Sequence, residues 1–183
     1  NVAHLFFQIV MMRRLAPAEY GALMALIGLM AIVTNPLDAL RVTMAHYSTR
    51  FLREGQASQI RPLLARWMMA LAGAGALFFC LSVFLRAPLA AYLQLPQEIL
   101  LPAAGLVVAL NLFLNPLWGV LQGAQRFGWF ALSSQACGVF RLAIGAALVL
   151  GVSATALSGL GGQLAGVTSG LVLGLIGLSR LGH

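Results

Sequence analysis

The stretch WMMALAGAGALFFCLSVFL, Trp67 to Leu85, contains no charged side chain, and GALMALIGLMAI and LAIGAALVLG repeat its character elsewhere in the chain. A helix that crosses a bilayer needs about 20 mostly apolar residues at 1.5 Å rise each. Hydrophobic residues make up 61% of the sequence and charged residues 8%, against roughly 25% charged in soluble domains. Too few polar side chains exist to cover a globular surface. The expected fold class is therefore an all-α integral membrane protein.

On that length rule six segments are expected, over about 1–14, 20–51, 63–85, 98–125, 129–150 and 157–178. The second carries a kink at Pro36, and RAPLAAYLQLP reads as an interfacial connection after the third. The chain opens at Asn1 inside an apolar run, so the expectation is a fragment whose first helix lacks its beginning.

The net charge of +7 comes wholly from arginine. A basic chain can mark a nucleic-acid binder, but these arginines are spread among hydrophobic runs, which fits topology and lipid headgroups better. No nucleic-acid partner is expected, and membrane lipids are. Arg50, Arg53, Arg61 and Arg66 surround the connection between the second and third segments, which places it in the cytoplasm. Alternation puts Arg126 and Arg180 on the same side, and Arg13, Arg14 and Arg86 outside.

The puzzle is VTNPLDALRVTMAHYSTRF, Val33 to Phe51, on the second segment. At about 100° per residue, Thr34, Asp38, Arg41, Ala45, Ser48 and Thr49 share one arc, with Asn35 and His46 at its edge. Leu37, Leu40, Met44 and Tyr47 take the opposite side, expected to meet lipid. Ionisable groups at mid-bilayer cost about 2.5–3.5 kcal/mol to insert, so they face a water-filled cavity or a partner. Two roles fit Asp38 and Arg41: a self-neutralising structural pair at i, i+3, or a site on a cavity. His46 is either a satisfied polar residue or a proton-linked group.

The fourth segment carries Asn111, Asn115, Trp118, Gln122 and Gln125 as one continuous helical stripe, expected to face a polar interior. Arg141 sits near the middle of the fifth, sharing a face with Ser134, Gly138 and Gly145. Its guanidinium needs an anion, and either Asp38 or a substrate phosphate can supply one. Gly162, Gly166, Gly170 and Gly174 form a small-residue ridge for close helix packing. Cys80 and Cys137 stand alone in apolar runs and read as packing residues. No metal cluster, no nucleophile beside a base and no phosphate loop is visible, so neither a cofactor nor an enzymatic activity is expected.

Three stretches, RRLAPAEYGALMALIGLMAI, NPLDALRVTMAHYSTRFLREGQ and GVLQGAQRFGWFALSSQACGVFRLAIGAALVLGV, resemble the oligosaccharide flippase family. That family belongs to the multidrug, oligosaccharidyl-lipid and polysaccharide exporter superfamily. The most specific pieces are L-x-P-x-E-Y-G at Leu15 to Gly21 and G-V-L-Q-G-x-Q-R-F at Gly119 to Phe127. The resemblance implies a six-transmembrane-helix bundle that is one lobe of a two-lobe, MATE-like fold, with the C-terminal lobe missing. It further implies alternating-access transport of a polyprenyl-pyrophosphate-linked oligosaccharide across a bacterial or archaeal inner membrane, coupled to H+ or Na+.

On that expectation Arg41 and Arg141 meet the pyrophosphate, with Asn111, Asn115, Trp118 and Gln122 lining the path. Asp38 and His46 are the ion-coupling or structural groups. A multidrug cation antiporter of the same superfamily is the competing expectation. A membrane-embedded glycosyl or acyl transferase is a third, and it would need a His, Asp or Glu cluster that the sequence does not show.

Overall fold

The computed structural model describes residues 2–180, and every regular element among them is helical. The order is α1 (Val2–Arg14), α2 (Pro17–Thr34), α3 (Leu37–Arg53), a 3₁₀ turn (Ala57–Gln59), α4 (Ile60–Phe84), α5 (Arg86–Tyr92), α6 (Leu100–Asn111), α7 (Leu114–Gly123), α8 (Phe127–Gly151) and α9 (Ala156–Ser179). Five spans are long and apolar enough to cross a membrane: 17–34, 57–84, 100–123, 127–151 and 156–179. The chain thus has the architecture of a multi-pass α-helical membrane protein. The first expected segment is the 13-residue α1, about 20 Å long and short of a 30 Å hydrocarbon core; its residue 1 lies outside the described residues.

Two expected continuous helices are broken in the middle, each by a proline. Pro36 has no N–H for the carbonyl of Ile32. Asn35 still donates to the Ala31 carbonyl at 2.8 Å, and then Asp38 and Ala39 reach back only three residues, to Asn35 and Pro36 at 3.1 and 3.3 Å. The segment expected over 20–51 is therefore two helices, α2 and α3. The segment expected over 98–125 breaks likewise. Phe113 donates to Leu110 at 3.2 Å, and Pro116 leaves the Leu112 carbonyl without its usual donor, which separates α6 from α7. The short α5 occupies the expected interfacial connection.

Burial decides which helices are central: 61% of the α6–α7 span is buried, against 11% of the span containing α4. Around this axis the packing is set by small residues. On α9, a Cβ at Gly166 would come 2.5 Å from the Cys137 carbonyl, and one at Gly162 would come 2.6 Å from the Cα of Gly145. The expected glycine ridge therefore lies on α8. On α7, Gly119 rests on the carbonyl of Arg41 and the side chain of Met44, and Gly123 on the carbonyl of Ala45. On α6, Gly105 rests against Ser82 of α4. An apolar core of Leu23, Leu26, Val108, Leu114 and Leu160 ties α2, α6, α7 and α9 together.

One acidic side chain also positions a helix. Glu19, in the first turn of α2, accepts a 2.6 Å hydrogen bond from the backbone N–H of Ala156. Ala156 opens α9, whose first N–H groups lack intrahelical partners, and a carboxylate there also complements the helix dipole. The glutamate of L-x-P-x-E-Y-G thereby holds the start of the last helix against the second.

Candidate functional site

The two proline breaks lie side by side, and a cavity of about 230 Å³ opens where they meet. Thr34, Asn35 and Asp38 come from the α2–α3 break, Asn111, Leu114, Asn115 and Trp118 from the α6–α7 break, and Cys137 and Arg141 from α8. The physical reason is common to both walls. A proline interrupts the backbone ladder, the helix shifts at that point, and polar side chains flanking the break can be hydrated rather than packed.

Within the site, Asn115 is buried and Arg141 half-buried. A terminal guanidinium nitrogen of Arg141 lies 3.7 Å from the Cys137 sulfur. The indole N–H of Trp118 donates to the Ser133 hydroxyl at 2.8 Å, which donates in turn to the Gly170 carbonyl at 2.7 Å. Phe130 packs on the Trp118 ring edge-to-face at 5.8 Å between centroids. This hydrogen-bonded chain fixes the indole plane from α8 and α9, so Trp118 presents ring surface to the cavity while its N–H is already used.

The expected site residues are thus divided. Asp38, Asn111, Asn115, Trp118 and Arg141 share one cavity. Arg41 does not line it; its guanidinium lies 3.6 Å from Asp38, with the two side chains 29% and 62% exposed. Gln122 and His46 line a different, larger opening of about 610 Å³ with Thr49, Arg50, Arg53 and Glu54. There Arg50 is held by Glu54 at 2.8 Å, and the His46 ring meets Tyr47 edge-on at 5.9 Å.

The expected lipid face of α3 needs correction. Met44 is fully buried, against Ile60, Leu64 and Val120, while Tyr47 is well exposed. The side of α3 that packs is set by Gly119 and Gly123 of α7, which admit its backbone around residues 41–48, and not by the polarity of α3 itself. Cys80 is exposed rather than packed.

Two residues that the sequence pattern did not single out for the site bear on it: Cys137 lines the cavity, and the buried Ser133 holds the Trp118 indole from behind it. With Arg141 they follow one another at i, i+4 spacing along α8, a signal of a shared face. Ser134, the neighbour expected on that face, only bonds back to the Ala131 carbonyl of its own helix.

Chemically, the site offers amides, an aromatic face, one carboxylate and one guanidinium. Among the described residues no group of His, Cys, Asp and Glu gathers to hold a metal ion. Compared with models of protein families, with curated proteins and with solved structures, the chain matches none of them.

Proposed function

We propose that this chain is the N-terminal lobe of a two-lobed flippase. It carries a polyprenyl-pyrophosphate-linked oligosaccharide across a bacterial or archaeal inner membrane by alternating access. The observation that carries the reading is the cavity at the proline breaks, where Arg141 stands with Asn111, Asn115 and Trp118. A guanidinium forks onto phosphate oxygens, amides hydrogen-bond sugar hydroxyls, and an indole face stacks on a pyranose ring. In this reading α1 is the first of six spans, and a second lobe covers the cavity's open side. A proton or sodium gradient supplies the energy, with Asp38 and His46 as coupling groups.

Asp38, open to the same cavity, favours a second reading as a multidrug cation antiporter. Arg141 on the opposite wall repels a cation, which ranks that reading below the first.

Reconstitution of the complete two-lobed protein into liposomes with a fluorescent polyprenyl-pyrophosphate oligosaccharide separates them. Arg141→Ala is expected to abolish translocation while leaving the protein folded, because alanine keeps the Cβ and backbone that Gly162 and Gly166 rest on. Arg141→Lys restores part of the rate, since lysine keeps charge and loses the fork. Full-rate transport by Arg141→Ala rejects the flippase reading. Loss of organic-cation efflux in Asp38→Asn, with no lipid-linked substrate moved by the parent, establishes the antiporter.

A further inference from the structure

Away from the polar cavity, a second opening of about 170 Å³ lies between α2, α4 and α6 and is closed at one end by α5. Its floor is Met30, Leu101, Ala104 and Val108, all buried. Among the described residues of the wall the one polar side chain is Ser82, whose hydroxyl is already bonded to the Phe79 carbonyl of its own helix at 2.7 Å. A space of this size with no polar partner does not hold water. Its natural filling is hydrocarbon.

The rim identifies the source. Leu29 and Leu81 form the lip and are exposed, and Ile32, Leu77 and Phe84 continue an exposed apolar surface beside them at 72%, 70% and 85%. The crevice therefore opens sideways onto a surface that faces lipid in a membrane-spanning bundle. Leu85 and Leu89 mark its other end, where α4 passes into α5 and the polar connection to α6 begins. Arg86 follows Leu85 in the sequence as the first residue of α5 and is exposed, with an ion pair to Glu98 at 3.8 Å. Tyr92, at 83% exposure, adds the interfacial aromatic typical of headgroup depth. From Leu101 to Val108 the floor extends about 10 Å along α6, the reach of part of an acyl chain.

We infer that this crevice is a phospholipid site: one acyl chain lies along α6 between α2 and α4, and the lipid phosphate is met by Arg86. Gly105 is part of the design. It lets Ser82 of α4 approach α6 and leaves the floor flat where the chain passes. The inference is independent of the transport reading, since neither Arg86 nor any crevice residue lines the polar cavity.

The test is native mass spectrometry of the detergent-purified chain after progressive delipidation, with lipid extracts identified by their fragments. The parent is expected to retain one phospholipid after bulk lipid is removed. Ala104→Phe fills the floor and should release it. Leu81→Trp, at the exposed lip, should weaken retention without burdening the core, and serves if Ala104→Phe fails to fold. Arg86→Ala should keep a lipid but lose the preference for anionic headgroups. A parent that retains no lipid, or variants that retain it as well as the parent, overturn the site. Retention of an isoprenoid instead of a phospholipid overturns the assigned occupant, and a crevice filled by a second copy of the chain, seen as a lipid-free dimer, does the same.

Discussion

Along α8 and α9 the glycines at 162, 166, 170 and 174 meet α8 and the leucines of α7 over most of the helix. Along α3 and α7 Gly119 and Gly123 make equally close approaches, but only on one side of the proline breaks, beyond which the 230 Å³ cavity opens. The same device, backbone contact through missing side chains, yields a closed seam in one place and the hinge-like flank of a cavity in the other. The difference lies in the prolines. α8 and α9 contain none, so their surfaces stay matched for the whole span. Pro36 and Pro116 interrupt theirs.

That contrast is most severely tested at the closed seam. Gly166→Leu drives a side chain into the Cys137 carbonyl and the Arg141 Cβ, neither of which can rotate away. Overpacking costs typically 1–3 kcal/mol, and a loss of about 3 kcal/mol is expected here. Folded yield and thermal unfolding in detergent report it, and a variant that melts like the parent shows that the seam is not closed.

Next comes the link between the two regions. Ser133→Ala removes both the acceptor for the Trp118 indole and the donor to Gly170, at a cost of about 1–3 kcal/mol for stranded buried polar groups. Trp118 should gain mobility, read as a drop in its fluorescence anisotropy, while Ser134→Ala should change neither stability nor anisotropy. Equal behaviour of the two variants would mean that the cavity wall is not held from the seam.

Glu19→Ala tests whether the seam is anchored at its start. Loss of a helix N-terminal acceptor costs about 1 kcal/mol, and amide exchange should quicken in the first turn of α9 alone. The smallest change is a gain. Gln94 closes α5 with φ 51, a conformation that glycine adopts without a Cβ penalty. Gln94→Gly should therefore raise stability by about 0.5 kcal/mol without affecting either region, and a loss of stability would show that the Gln94 side chain makes a contact worth more than the relief.

Much of the helical frame was legible in the sequence because membrane insertion imposes a one-dimensional rule: length and apolarity suffice. The spans of α4, α8 and α9 fall within a few residues of expectation, and the glycine ridge lies against a helix because its purpose is written in its own spacing. The polar stripe of Asn111, Asn115 and Trp118 was likewise visible in the spacing, although Asn111 ends α6 and the other two lie on α7. Its partner Gln122 was not separable from it by spacing, because α7 passes from one cavity to another along its own length.

Which side of α3 packs, where Arg41 stands and what Ser133 does were decided by tertiary structure alone. A helix shows its own polar and apolar arcs in its sequence, but not the shape of the neighbour that will cover them. Met44 is buried because Gly119 and Gly123, far along the chain, leave room for α3 at that height. Arg41 is absent from the lining of the cavity that its own arc seemed to face, while Asp38, three residues earlier, lines it. The sequence determines that such helices form; the fit of one backbone into the gaps of another determines which residues meet.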